Sequence, residues 1–384
     1  MRHDVLAVMH DSLEGGRRCA RRWHPCRKHA EISLPASVIP EAGFFCIIYA
    51  EGESRMSGII DMHCDTLMKA FFEEGPSSDV FNTSYTHLNV LDLKNAGTIA
   101  QFFAVFIPPE SYYREELKRE PVTPDEYIDG CVQIFNNTVE RHGDQIARAL
   151  NGDDIERNMK DGKVSAVLTM EDGVAVYGDM AKLDSFYDRG FRAIALTWNF
   201  ANCFGYPNSR DPELMAKGLT DFGKEAVRHM QDIGILVDVS HLSDGGFWDI
   251  MKIAKLPIIA SHSNARKVCG HPRNMTDDMI LALKKNGGVM GLNLSPMFLD
   301  ETEGNRESRI CDMADMMEYE KQLAGIDVMA IGTDLDGIHG SLEIGCMSDL
   351  HLLFDELVRR GFTTEEIERI AWKNAMRVFR ESMR

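Results

Sequence analysis

The chain has 384 residues, 44% of them apolar and 27% charged, and carries a net charge of −18. That composition is globular rather than disordered or fibrous, and the acidic surplus argues against nucleic acid or an anionic membrane surface as partner. No apolar run reaches the length of about 18 residues that a membrane-spanning helix needs, and nine cysteines without a CxxC pair read as the scattered, reduced thiols of a cytoplasmic protein.

Residues 1–56 include the basic stretch "RRCARRWHPCRKHA" and show no periodic pattern, whereas everything after them is strongly acidic. The expectation is an N-terminal extension, either a disordered arm or upstream translation with Met56 as the natural start. Residues 57–384 then form a single catalytic domain. From Gly58 onward, near-continuous apolar runs recur: "GIIDM" (58–62), "IAQFFAVF" (99–106), "VSAVLTM" (164–170) and "FRAIALT" (191–197). Next come "GILVDVS" (234–240), "PIIAS" (257–261), "GGVMGLNL" (287–294) and "VMAIGT" (328–333). Such runs predict strands covered on both faces.

Between them lie amphipathic stretches. "LTDFGKEAVRHMQDIG" places Leu219, Phe222, Ala226, Val227 and Met230 at helical spacing, with Gly234 as a stop. "TDDMILALKKNGG" opens with Thr276 as an N-cap and closes on glycine. Eight strands alternating with helices predict a (β/α)8 TIM-type barrel, of the kind metal-dependent hydrolases use. The rival is an open doubly wound sheet, although no GxGxxG comes after an early strand. The tail "FTTEEIERIAWKNAMRVFRESMR" predicts one closing helix, with Thr363 and Glu366 spaced as a capping box, and it ends without an apolar anchor.

The chemistry sits at the C-terminal ends of the apolar runs. The first run ends in His63 and Asp65, the third in Glu171, the fifth in His241, the sixth in His262 and the eighth in Asp334. Barrel active sites stand on the C-terminal ends of the strands, so these groups are delivered to one rim. Any one imidazole would pass for a packed core histidine; their convergence argues for a metal centre. Imidazoles with carboxylates suit zinc or a similar first-row ion. The groups are too many for one tetrahedral ion, and a pair of ions sharing a carboxylate would use them all. Glu171 and Asp172 are adjacent, so either is the ligand and the other a helix cap. Asp238 lies inside a strand and reads as a hydrogen-bond acceptor behind a ligand. Asp336 reads as a turn cap before Gly337, and Cys64 as a small buried hydrophobe. His271 and His339 read as surface loop residues, and His87, His142, His229 and His351 fall in helix or loop patterns without partners, so all six stay outside the constellation.

These motifs resemble the renal, or membrane, dipeptidase family of binuclear zinc peptidases. The resemblance rests on "DMHCDT", the Glu-x-Gly of "TMEDG", "GLTDFGKEAVRHMQDIGILVDVSHLS", "SHSNARKVCGHPRN", "GTDLDG" and "WKNAMRVF", and it covers nearly all of residues 57–384. It implies one zinc held by His63 and Asp65, a second held by His241 and His262, and Glu171 bridging the two. It further implies that Arg273 binds the substrate carboxylate, that Asp334 is the acid–base carboxylate beside a metal-bridging hydroxide, and that the protein is a homodimer. The chain departs from the family's mammalian members at "ALTWNFAN", where Trp198 replaces a carbonyl-polarising His. There the donor is Trp198, Asn199 or Asn202, or the indole simply walls the pocket. The activity expected is zinc-dependent dipeptide hydrolysis. The alternatives are another binuclear-metal amidohydrolase, acting on a lactam, cyclic amide or N-acyl amino acid, and a catalytically silent metal- or peptide-binding relative.

Overall fold

A computed structural model describes residues 58–384; the 1–56 extension and the start at Met56 lie outside the described residues. The strands are β1 (Ile59–Asp61), β2 (Thr98–Phe106), β3 (Ile146–Arg148), β4 (Val164–Glu171), β5 (Phe191–Ala195), β6 (Leu236–Asp238), β7 (Ile259–Ala260), β8 (Val289–Leu292), β9 (Glu307–Ser308), β10 (Met329–Ile331) and β11 (Ser341–Leu342). Every position of β2 and of β4 is buried, which is why they read as unbroken apolar runs rather than alternating ones.

The eight expected runs all form strands, and all are parallel. Their order is β1, β2, β4, β5, β6, β7, β8, β10 and back to β1. Pairing of β2 with β4, from Ala100–Ser165 to Phe106–Glu171, closes the ring. That closure rules out the open doubly wound sheet. β3 is an addition to the expected strands: it pairs with the first residues of β4, on the edge that β5 takes over further along. β9 and β11 form a separate two-stranded parallel sheet. All three are two or three residues long, too short to leave a periodic signature.

One buried apolar cluster draws a residue from each barrel strand: Ile60, Phe102, Val167, Ala193, Leu236, Ile259, Val289 and Ala330. It closes on the last helix, Asn374–Ser382, whose Phe379 ring stacks on Phe102 at 4.7 Å. Apolar packing therefore fills the barrel interior and leaves the opposite, C-terminal mouth for polar groups. The tail carries the expected Thr363–Glu366 capping box but is not one uniform helix. It widens to π geometry over Arg369–Lys373, where it packs against β1 and β10. The amphipathic helices end as expected, on Gly234 and Gly287 in the left-handed region. Among the described residues, no helix is long and apolar enough to cross a membrane.

Candidate metal centre

Beyond Asp61 the chain stays laced to both neighbours: Cys64 O accepts from Ala104 N at 3.0 Å and His63 O from Asp334 N at 3.2 Å. His63 and Asp65 are thereby fixed by backbone at the end of β1. Cys64 is buried, as expected, with its thiol on Phe102 O. Asp61 accepts from Thr333 N, Thr333 Oγ1 and Gln101 Nε2, each at 2.8 Å, and so holds the strand end that leads into Asp334.

Glu171, the last residue of β4, lies at the centre. Its Oε2 faces His63 Nε2 at 3.4 Å, while its Oε1 faces His241 Nε2 at 2.9 Å and His262 Nε2 at 3.6 Å. Asp65 Oδ2 is 3.5 Å and Asp334 Oδ1 3.9 Å from His63 Nε2. Two ligand triads, His63–Asp65–Glu171 and Glu171–His241–His262, share the glutamate; His63, His262 and Asp334 make a third grouping. The rings of His63 and His262 stack at 3.8 Å. All six expected groups converge, and all are buried.

The protonation pattern shows what such a cluster needs. Ser261 Oγ donates to Asp238 Oδ2 and accepts from His262 Nδ1 at 2.7 Å, so the His262 proton is on Nδ1 and Nε2 is bare. Asn199 Oδ1 accepts from His241 Nδ1 at 3.3 Å, which leaves His241 Nε2 bare as well. These two nitrogens stand 3.1 Å apart, lone pair against lone pair. His63 Nε2 and Asp65 Oδ1 are buried with no hydrogen-bond partner. A cation in the cluster removes each of these costs at once, and the donor set suits zinc. Burial, with the Arg273 charge, pushes His241 down to about 4, and burial with the His63 charge pushes His262 well below its usual range. Neutral imidazole is the form that binds metal. Burial would raise the Glu171 carboxyl, but the neighbouring His63 charge outweighs it and holds it well below the usual range.

Backbone strain concentrates here. His241, Asp334, Asp172 and Asp336 all have positive φ, at 68°, 61°, 74° and 72°. Left-handed conformations at such residues cost of order 1–3 kcal/mol each and persist where surrounding structure enforces them. Asp172 is the cap rather than the ligand: it accepts from Val174 N at 3.0 Å and from Asn202 Nδ2 at 2.7 Å. Asp238 is the acceptor behind His262, as expected. Asp336 is more than a turn cap, since its buried carboxylate accepts from Thr66 Oγ1 at 2.6 Å and His87 N at 2.7 Å. A Cβ on Gly337 would overlap Asp65 Oδ2 and come within 2.6 Å of Asp334 Oδ1, so only glycine lets the loop lie this close. Asn293, at the end of β8, donates to Asp334 Oδ2 at 2.8 Å; an amide after an apolar run gives no sign of that role.

Arg273 is buried. It donates to Ser263 Oγ at 2.7 Å and His262 O at 2.8 Å, and its Nε has no partner. Trp198 is half-buried, 6.3 Å ring to ring from His241, so it borders the site as expected. Asn199 is exposed, and its amide oxygen orients His241. Asn202 is not a candidate donor to substrate: its N–H groups are taken by Asp172 and by Leu196 O. Three histidines expected to lack partners have them: His229 meets Asp184 at 2.6 Å, His142 meets Asp79 at 3.3 Å and His351 bonds Ser348 O at 2.7 Å. His271, expected on the loop surface, is half-buried, and its ring accepts from Arg273 N at 3.1 Å.

Residues 54–384 match the membrane dipeptidase family, peptidase family M19. An uncharacterised dipeptidase of Schizosaccharomyces pombe is 30% identical over 318 residues, 79% of this chain and 74% of the relative. A protein encoded in the pqqA 5′ region of Klebsiella pneumoniae is 30% identical over 268 residues, 68% of this chain and 97% of the relative. A metallopeptidase of Rhodobacter sphaeroides, solved with a phosphinate mimic of the dipeptide L-Ala-D-Ala, superimposes with a TM-score of 0.76 at 21% identity, covering 85% of this chain and all of that one. A match across nearly the whole barrel, together with the convergent histidines and carboxylates, places the chain in the membrane dipeptidase family as a metallo-dipeptidase.

Proposed function

We propose that the protein hydrolyses small dipeptides with two zinc ions, one held by His63 and Asp65, the other by His241 and His262, and both by Glu171. The division of the two Glu171 oxygens between the imidazole groups carries this reading. Bound there, the ions would supply an acidified water and a Lewis acid for the carbonyl oxygen.

The chain's own residues supply the rest. Arg273 has no carboxylate within ion-pair distance among the described residues, an expensive state for a buried guanidinium. The planar fork of an arginine pairs bidentately with a carboxylate, so the C-terminal group of the dipeptide is its partner. Asp334, anchored by Asn293, accepts the proton of the attacking water and passes it to the departing amine. Neither Ser240 nor Ser263 acts as a nucleophile. They bond one another at 3.1 Å, Ser240 Oγ accepts from His262 N, and Ser263 Oγ accepts from Arg273.

The experiment compares dipeptides with their C-terminal amides in the zinc-loaded wild type and in Arg273→Met. Loss of charge-assisted bonds predicts a 10- to 100-fold rise in KM for dipeptides, roughly 1.5–3 kcal/mol, and little change for the amides. An equal effect on both substrates would remove Arg273 from carboxylate recognition.

A further inference from the structure

We infer that aromatic side chains on the β2–β5 arc of the barrel mouth form the pocket for the first residue of the dipeptide and select a large apolar side chain there. The inference rests on the dipeptidase reading above and adds a substrate class to it.

Phe106 ends β2 directly opposite Glu171 in the register, so its position is tied to the centre of the metal cluster. Its ring meets Trp198 edge to face at 4.8 Å and Tyr112 at 5.7 Å. Trp198 lies in turn 6.1 Å from the ring of Phe200, which is 48% exposed. The Tyr112 hydroxyl touches Met68 Sδ at 3.7 Å, tying the wall to the helix that begins after Asp65. These five side chains are uncharged and contiguous. Phe106 is buried behind the others, while the half-buried Tyr112 and Trp198 and the exposed Phe200 gain by burying further apolar surface.

Direction comes from the strand order. Around the closed ring, β7 lies across from β2. Arg273 belongs to the loop after β7 and bonds His262 O and Ser263 Oγ, whereas Phe106 is paired with Glu171, so the facing His262 and Glu171 side chains span the mouth between the arginine and the aromatic wall. A dipeptide with its carboxylate on Arg273 and its amide at the cluster must send its first side chain towards Phe106, Tyr112 and Trp198. The second side chain stays on the Arg273 side, away from the wall.

The test measures kcat/KM of the zinc-loaded enzyme for Phe-Gly, Leu-Gly, Gly-Gly, Asp-Gly and Gly-Phe. Phe-Gly and Leu-Gly are expected to exceed Gly-Gly and Asp-Gly by about tenfold or more, the usual discrimination of an apolar pocket. Gly-Phe gains no such advantage. Trp198→Ala lowers the Phe-Gly to Gly-Gly ratio about tenfold, whereas Trp198→Phe keeps most of it. Tyr112→Ala, on the π-helical turn outside the barrel, reads the same ratio if Trp198→Ala does not fold. Calorimetric binding of Phe-Gly against Gly-Gly to the Asp334→Asn variant should show the same preference without turnover. Hydrolysis of all dipeptides at one rate, a preference set by the second residue, or an equal loss on every substrate in Trp198→Ala would overturn this proposal and leave the dipeptidase reading standing. Failure of the metal-loaded wild type to hydrolyse any dipeptide would overturn both.

Discussion

Asn199 shows how much of a metal site lies behind its ligands. Its amide oxygen fixes the His241 tautomer that leaves Nε2 bare. Partners of this kind are worth about 10- to 100-fold in metal affinity, so Asn199→Ala should weaken zinc binding by that factor in a chelator competition while leaving the fold intact. In the sequence, Asn199 is one of three candidate donors to substrate. A residue's position after a strand tells that it reaches the rim, but not which neighbour its side chain faces. Glu171 and Asp172 are likewise indistinguishable as residue types and are separated only by geometry. Glu320, by contrast, gives no sequence signal. It is 1% exposed in the helix Ile310–Ala324, with Oε1 unpartnered, and burial pushes its carboxyl well above the ordinary value of 4.5. The folded protein therefore keeps it protonated where the unfolded chain ionises. Its stabilising contribution is complete below pH 4.5 and is lost as pH rises towards the folded value. Glu320→Gln should thus raise Tm by an amount that grows as pH rises above 4.5, reaching about 2 °C or more; a gain independent of pH would contradict this origin.

The strand ends and the loops beyond them differ sharply in how legible they are. Apolar runs for the barrel strands are readable because both faces are buried, and the first titratable group after five of the eight runs marks the mouth. The loops are not, because their conformations depend on contacts from distant parts of the chain. The loop after β10 is the clearest case: Asp334 and Asp336 both have positive φ, one facing the cluster and the other holding His87 N and Thr66. Gly337 packs its backbone against the carboxylates of Asp65 and Asp334. Gly337→Ala should therefore displace both groups, and a displacement of about 1 Å costs on the order of 100-fold in rate. Steady-state kinetics with an unchanged circular dichroism spectrum would bear this out; full activity would show that the loop can yield. The helix caps at Thr276 and Thr363 are legible because capping is a local bond. The π turn at Arg369–Lys373 is not, since it arises where the closing helix meets β1 and β10.

The barrel divides its contents between an apolar end sealed by Phe379 and a polar mouth where six buried titratable groups meet. Their mutual repulsion and desolvation argue that the arrangement is built around cations, with Glu171 common to two of the ligand triads. The resemblance to dipeptidases is visible in the motifs, but the central position of Glu171 depends on β4 standing between β2 and β5 in the closed ring. Metal content measured by mass spectrometry, together with dipeptide turnover, tests this most directly when wild type is compared with Glu171→Ala. The account predicts about two zinc ions per chain in the wild type, fewer in the variant, and turnover at least about 1,000-fold lower, as expected when the shared ligand is lost. A Glu171→Ala protein that kept both ions and normal turnover would contradict it.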